Sequence, residues 1–386
     1  MKYFFVSLIA SLLTVSCLNR KTDNPENKVL EKTKDIFKLN TLFKQGEGGY
    51  ACYRIPAIVT ANNGAILAFS EARKSSCSDT GDIDLVMKKS IDNGVTWSNV
   101  KIIWNDKANV CGNPSPVVDV ETGTVHLLVT WNNGEDHESE IINGTSIDGR
   151  LVYHLVSTDH GETWSEPKNI TATTKKPNWS WYATGPVHGI QLKKGNYKGR
   201  LIIPCDHIEK ETKKYYSHVF YSDDHGVSWE LGGSTPVDQV NECTIAELTN
   251  GDLLLNMRNY NRDAVKSRQI AISENGGDTW INQKFDTQLP EPRCQGALLS
   301  VQNSKKNALL FTNPADSMAR VNMTLSISND DGLSWGKKIP IYKSHSAYSD
   351  LTELKNGNIL VLYEGGIENA YEGIHYKIIP KNLIFN

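Results

Sequence analysis

One eight-residue phrase recurs five times along the 386-residue chain, starting at Ser90, Ser157, Ser222, Ser273 and Ser328 and ending on Trp97, Trp164, Trp229, Trp280 and Trp335. The shared scaffold is Ser-x-Asp-x-Gly-x-Thr/Ser-Trp, and only the fourth copy carries Asn275 in place of Asp. Consecutive copies stand roughly 50–70 residues apart, which is the signature of similar units in series, an array or a propeller. The phrase has the chemistry of a turn with an anchor. Asp and Ser side chains take hydrogen bonds from nearby backbone N–H groups, Gly permits positive φ, and the Trp is large enough to plug the gap between neighbouring sheets. A calcium-binding EF-hand needs several oxygen ligands over twelve residues and two flanking helices, neither of which is present, so the repeats describe fold rather than activity.

Short β-rich runs flank the copies, as in Arg150-Leu-Val-Tyr-His-Leu-Val-Ser157, Ser217-His-Val-Phe-Tyr221 and Met323-Thr-Leu-Ser-Ile327. Beyond the N-terminus no stretch sustains a helical period, so an all-β protein is expected. Roughly 345 residues after the leader, divided by six, give about 58 per unit, enough for a four-stranded blade with its loops. Five turns fit six blades if one blade is closed from both termini and has lost its phrase. With 39% hydrophobic residues and a formal net charge of −3 the chain supports a large core and gives no reason to expect nucleic acid.

The leader reads as an export signal: Met1-Lys2, then the apolar run from Tyr3 to Leu13, then Thr14-Val-Ser-Cys17. A Cys after small residues resembles a bacterial lipoprotein cleavage site, so residues 1–17 are expected to be removed or lipidated at Cys17, with ordinary signal cleavage as the alternative. Residues 18–36, rich in Lys, Asn, Asp and Glu, read as a flexible tether, and residues 37–386 as one domain. The expected location is exported and anchored in the cell envelope, periplasmic or at the surface. With about 35 residues before the domain and about 38 after Tyr348, no further module is expected. Six cysteines remain besides Cys17, at 52, 77, 111, 205, 243 and 294. An even number permits disulfides in an exported protein, but the spacings are not those of a small stapled domain, and free buried thiols are expected. No CxxC or HExxH occurs and the ten His do not cluster, so neither metal nor cofactor is expected.

Chemistry enters through residues outside the phrase. Tyr53-Arg54-Ile-Pro56 opens a β-rich run, and Glu71-Ala-Arg73 leads to Asp79, Asp82 and Asp84. Asn241-Glu242 precedes Asn256-Met-Arg258, and Phe311-Thr-Asn-Pro314 precedes Arg320 and then Ser346-Ala-Tyr348-Ser-Asp350. Singly, each has a structural explanation in a salt bridge or a turn. Together they resemble the bacterial exo-α-sialidases, Asp-box glycosidases built as six-bladed β-propellers, over nearly the whole chain from Tyr53 to Tyr348. The Tyr-Arg-Ile-Pro segment followed by Asp boxes, the Arg54 to Asp79 and Glu242 to Arg258 spacings, and the segments Trp181 to Leu192 and Cys111-Gly-Asn113-Pro-Ser-Pro carry the resemblance.

The resemblance implies a substrate and a site. A sialic acid bears a carboxylate on its anomeric carbon, and Arg54, Arg258 and Arg320 would hold it through charge-assisted, partly bidentate hydrogen bonds. An anionic nucleophile approaching that carbon meets like-charge repulsion, and sialidases use Tyr instead. Tyr348 would attack, Glu242 would take its proton, and Asp79 would protonate the leaving oxygen and then activate water. Arg73 resembles the Arg near the 4-hydroxyl, and Asn113 stands where many relatives carry Asp. Glu71, Asp82, Asp84 and Asp350 are read as supports of these side chains or as turn and strand-end residues. Trp179, Trp181 and Tyr182 either line the pocket or pack a blade. The expected partners are sialylated oligosaccharides, glycoproteins or glycolipids, with no nucleic acid and no membrane beyond the anchor, for a monomer. The alternatives are a non-catalytic Asp-box propeller that binds glycans or proteins, and a trans-sialidase or intramolecular trans-sialidase sharing the same residues.

Overall fold

The computed structural model describes Met1, residues 38–304 and residues 306–385; the expected leader and tether over residues 2–36, with Cys17, lie outside the described residues. Strands dominate, and they group into six antiparallel units of four. The first unit is Cys52–Thr60, Ile66–Arg73, Ile83–Ser90 and Lys101–Trp104; the second is Val110–Val118, Val125–Asn132, Leu151–Ser157 and Lys168–Asn169. The third is Trp179–Thr184, Leu201–Glu209, Tyr215–Ser222 and Glu230–Ser234; the fourth is Val240–Glu247, Leu253–Asn259, Ser267–Ser273 and Ile281–Pro290. Ala297–Gln302, Asn307–Pro314 and Val321–Ser328 form the fifth with the first half of the long strand Lys337–Glu353. The second half of that strand opens the sixth, followed by Ile359–Gly366 and Gly373–Ile379, and Thr41–Lys44 from the other end of the chain completes it. This is a six-bladed β-propeller.

The repeated phrase does what its chemistry demands. In the first copy Ser90 Oγ accepts from Gly94 N at 3.0 Å and donates to Asp92 Oδ1 at 2.8 Å, while Asp92 accepts from Thr96 N at 2.9 Å and Thr96 Oγ1 at 2.6 Å. Asn275 replaces the last acceptance by donating its Nδ2 to Thr279 Oγ1 at 2.9 Å, which explains why an amide serves there. Each Trp then packs against the preceding blade. Trp164 meets Phe69 of blade one edge-on at 5.7 Å, Trp229 meets His126 and His154 of blade two, and Trp97 meets Tyr376 of blade six.

The sixth blade has no phrase because its third and fourth strands come from opposite ends of the chain and no turn joins them. Its gap against blade five is filled instead by Ile384, Phe385 and Leu39, which join the cluster of Leu310, Leu325 and Ile359. Asp350 cross-links the axis: its carboxylate accepts from Ile58 N at 2.9 Å, His188 N at 3.0 Å and His188 Nδ1 at 2.6 Å, tying blades one, three and six.

One expectation is corrected. Cys52 and Cys77 form a disulfide with Cα atoms 5.2 Å apart, whereas Cys111, Cys205, Cys243 and Cys294 are free and buried. Cys52 pairs with Arg73 in the ladder, so the loop that leaves Arg73 has to turn back over the strand only far enough to bring Cys77 alongside. The spacing of 25 residues carries no signal of this, since the bridge fastens a loop rather than a core.

Candidate active site

The first strands of the blades converge on the axis, and five of them lose regular register beside the cavity, Trp179–Thr184 doing so between Trp179 and Trp181. The ladder of the other four shifts between Arg54 and Ala57, between Gly112 and Ser115, between Val240 and Cys243, and between Ser346 and Ser349. Bulges bend a strand and re-aim side chains. Those four irregularities turn Arg54, Asn113, Glu242 and Tyr348 into one space. Two are built on left-handed backbone, Ile55 at φ 62° and Asn113 at φ 51°, a conformation unfavourable above all for β-branched Ile.

The cavity has a volume of about 230 Å³ and is lined by all eight residues singled out in the sequence: Arg54, Arg73, Asp79, Asn113, Glu242, Arg258, Arg320 and Tyr348. Arg54 is buried and held from behind by Glu364, with Nε to Oε1 at 3.1 Å and Nη2 to Oε2 at 3.3 Å, leaving Nη1 towards Asp79 at 3.4 Å. Its guanidinium lies 4.3 Å from the ring centroid of Tyr371. Arg320 donates to the Tyr371 hydroxyl at 2.8 Å and to Arg293 O at 3.1 Å. Arg258 Nη1 donates to Glu242 Oε2 at 2.7 Å and to the Tyr348 hydroxyl at 3.0 Å. The Tyr348 hydroxyl in turn donates to Glu242 Oε1. Burial, reinforced by Glu242, pushes the Tyr348 phenol well above its ordinary value against the pull of Arg258 and Arg320, so it keeps its proton at neutral pH.

Asp79 stands at the mouth with its side chain 68% exposed, 2.7 Å from Arg73 Nη1. Its partial desolvation works to raise the pKa, but the Arg73 and Arg54 guanidiniums prevail and hold the carboxyl below the usual range. Arg73 is braced by Glu71, whose Oε2 takes its Nη2 at 2.6 Å and whose Oε1 takes Asn113 N at 2.8 Å. Gly112 permits that approach, because a Cβ there would fall 2.3 Å from Glu71 Oε1. Asn113 Oδ1 accepts from Arg150 Nη2 at 2.6 Å, and Arg150 lies 4.2 Å over the ring of Trp181. Trp181 Nε1 and Asn241 Nδ2 both donate to Asp206, fully buried, whose carboxyl burial and Glu242 push well up. Among the described residues no group of His, Cys, Asp and Glu is arranged to hold a metal ion.

A family model described as a BNR repeat-like domain matches residues 64–361. The sialidase of Bacteroides fragilis is 30% identical over 87% of this chain and 64% of its own length, and that of Paraclostridium sordellii is 30% identical over 86% of each. Among solved structures, the Hadza microbial sialidase Hz136 superposes with a TM-score of 0.80 at 28% identity, covering 89% of this chain and 68% of that one. The chain belongs to the sialidase family. It spans a little under two thirds of the length of the Bacteroides fragilis relative.

Within this sialidase-family chain, the supporting residues sort themselves by contact. Of the four acids considered as supports, Glu71 lies in the cavity wall. Asp84 instead accepts from Tyr50 at 2.6 Å, Asp82 pairs with Lys74 at 3.0 Å, and Asp350 serves the axis. Trp181 lines the cavity, whereas Trp179 stacks on His207 at 3.5 Å and Tyr182 belongs to the core of blade three. Sequence reading missed Glu364, Tyr371, Arg150 and Asp206. The signal that could have found Glu364 is a requirement and not a motif: a buried guanidinium needs a buried carboxylate.

Proposed function

We propose that this chain is an exo-α-sialidase, releasing terminal α-linked sialic acid from oligosaccharides, glycoproteins or glycolipids with retention of configuration. The observation that carries the reading is the Tyr348 hydroxyl hydrogen-bonded to Glu242 inside a cavity that also receives the guanidiniums of Arg54, Arg258 and Arg320. Three clustered cations with spare N–H donors match a carboxylate attached to the reacting carbon, and their planar forks fix the sugar's orientation as well as its charge. A neutral phenol avoids the repulsion that a carboxylate nucleophile would meet there.

In the first displacement the Tyr348 oxygen bonds to the anomeric carbon as its proton passes to Glu242, and Asp79 gives a proton to the departing glycosidic oxygen. In the second, water attacks the same carbon while Asp79 takes its proton, and the Tyr348 oxygen leaves and recovers its proton from Glu242. Two inversions give retention. The depressed pKa that Arg73 and Arg54 give Asp79 opposes its role as donor. A bound carboxylate offsets the positive field of Arg54, so substrate binding itself moves Asp79 towards the protonated form that the first step requires.

Incubation with 3′- and 6′-sialyllactose followed by NMR reads activity, linkage, anomeric course and hydrolysis against transfer in one experiment. Release of the α-anomer first, relaxing to the β-anomer, is expected. A folded protein that leaves both substrates intact refutes the reading and leaves a binding propeller, whereas an anhydro sugar or a transferred sialoside in place of free sialic acid points to the trans-sialidase alternatives.

A further inference from the structure

We infer that the Cys52–Cys77 disulfide is a positioning device for the proton-donating carboxyl, clamping the Asp79 loop to the strand that carries Arg54. The inference rests on the acid/base reading of Asp79 proposed above. Of the three groups assigned to bond making and breaking, Glu242 and Tyr348 sit on strands within the propeller, but Asp79 sits on the loop 74–82 between Ile66–Arg73 and Ile83–Ser90. That loop reads Lys-Ser-Ser-Cys-Ser-Asp-Thr-Gly-Asp, with no aliphatic or aromatic side chain to pack it down. Asp79, with its side chain 68% exposed, is not held by burial.

The bonds within the loop shape it without fixing its place. Ser78 N donates to Ser76 Oγ at 3.1 Å and Thr80 N to Ser78 Oγ at 3.3 Å, and Lys74 N donates to Asp82 O at 3.1 Å across the base. The tip is fastened at Cys77 twice, by the disulfide to the fully buried Cys52 and by Arg73 Nη1 donating to Cys77 O at 2.6 Å. Arg54 follows Cys52 by two residues and Asp79 follows Cys77 by two. Beside Asp79, Thr80 Oγ1 meets His137 Nδ1 at 3.4 Å, a long exposed contact, so the covalent bond is the firm link between a group that would hold the sugar's carboxylate and the group that would protonate its leaving oxygen. The ionic contacts of Asp79 with Arg73 and Arg54 are a weaker tether, because the Asp79 carboxylate is 68% exposed and Arg54 is also the group proposed to hold the sugar's carboxylate. A misplacement of about 1 Å can cost about 10²-fold in rate, and a general acid is worth about 10²- to 10⁴-fold, so a loosened loop has a measurable consequence.

The test compares kcat/KM on two substrates that differ in how much proton donation they need. 3′-Sialyllactose expels an alkoxide unless it is protonated, whereas a para-nitrophenyl sialoside expels a stabilised phenolate unaided. The double variant Cys52→Ser/Cys77→Ser is expected to lose about 10- to 100-fold on sialyllactose and to stay within about 3-fold on the aryl sialoside. Asp79→Asn is expected to show the same asymmetry more strongly. If the double variant does not fold, wild-type protein reduced by a phosphine, with its near-UV circular dichroism intact, supplies the same ratio. Equal losses on both substrates, or no loss on either, overturn the inference. Failure of the underlying reading looks different: Asp79→Asn then loses activity without regard to the leaving group, or the unmodified protein cleaves neither substrate.

Discussion

Glu364→Gln tests whether the back wall of the cavity is as constrained as its hydrogen bonds indicate. Glu364 is fully buried and its two oxygens accept four bonds: Oε1 from Arg54 Nε at 3.1 Å and Ile55 N at 2.9 Å, Oε2 from Arg54 Nη2 at 3.3 Å and Tyr348 N at 3.1 Å. An amide is isosteric, but whichever way it turns, its NH2 faces two donors. Two bonds are lost and Arg54 is left without its buried counter-charge, keeping only the exposed Asp79 at 3.4 Å. A bond to a charged group contributes about 1.5–3 kcal/mol, and breaking one side of a buried pair costs about 3–5 kcal/mol, so a loss of about 3–5 kcal/mol is expected. At about 2.1 cal/mol/K per residue over about 350 residues, that corresponds to a fall in Tm of roughly 4–7 °C. Calorimetry measures the fall, and the same sample assayed on a sialoside should lose kcat/KM, because both Arg54 and the Tyr348 backbone hang on Glu364. The double variant Arg54→Met/Glu364→Gln should be less destabilised than the sum of its singles, since it removes both charges. A Glu364→Gln protein melting within about 1 °C of wild type would refute the argument.

Four further outcomes are expected. Arg320→Lys keeps a charge and loses the fork, so kcat/KM should fall about 10- to 150-fold with Tm nearly unchanged; wild-type turnover would remove Arg320 from the carboxylate clasp. Tyr348→Phe should keep the fold and ligand binding but lose turnover by about 10³-fold, and a 3-fluorinated sialosyl fluoride should leave wild type with an adduct on Tyr348 by peptide mass; an adduct on Glu242 or Asp79 would point to a carboxylate nucleophile. Trp229→Ala should cost about 3–5 kcal/mol, because the ring fills the gap between blades two and three; an unchanged Tm would deny the plug. Burial lowers the pKa of His126 to about 4, of His154 and His207 to about 3, and of His218 well below its ordinary value. The unfolded chain takes up protons first as pH falls below about 6.5, so stability from these four groups is full above that pH and erodes as it drops towards about 4 for His126 and about 3 for His154 and His207, by up to about 1.4 kcal/mol per pH unit for each. Chemical denaturation at pH 7 and pH 5 measures it, and equal midpoints would contradict neutral burial.

Legibility followed periodicity. The phrase ending in Trp spelled out blades, turns and plugs, because each feature depends on residues adjacent in sequence. Even its missing sixth copy was readable, since a blade shared between the two ends of a chain has no turn to encode. The cavity residues were legible through resemblance and not through pattern: nothing in Tyr53-Arg54-Ile-Pro56 announces that Ile55 takes a left-handed backbone and that the strand bulges there. Glu364 and Tyr371 stayed hidden because their role exists only across the join between the last blade and the first. The disulfide was hidden for the opposite reason, its halves lying close in space through a loop whose path no composition fixes.

That join has a consequence for how the protein yields. The ring is zipped shut by Thr41–Lys44 on Gly373–Ile379, with no covalent link across the seam among the described residues. The clasp straddles the zip: Arg54 comes from the first blade, and Glu364, Tyr348 and Tyr371 from the sixth. Peeling the short strand Thr41–Lys44 is the cheapest opening available to a closed ring, so heating should abolish the proposed sialidase activity before the bulk of the β-structure melts. A ligand gripping Arg54 and Tyr348 together would act as a stitch, slowing amide exchange in residues 41–44 and 373–379, which belong to the zip and not to the cavity wall.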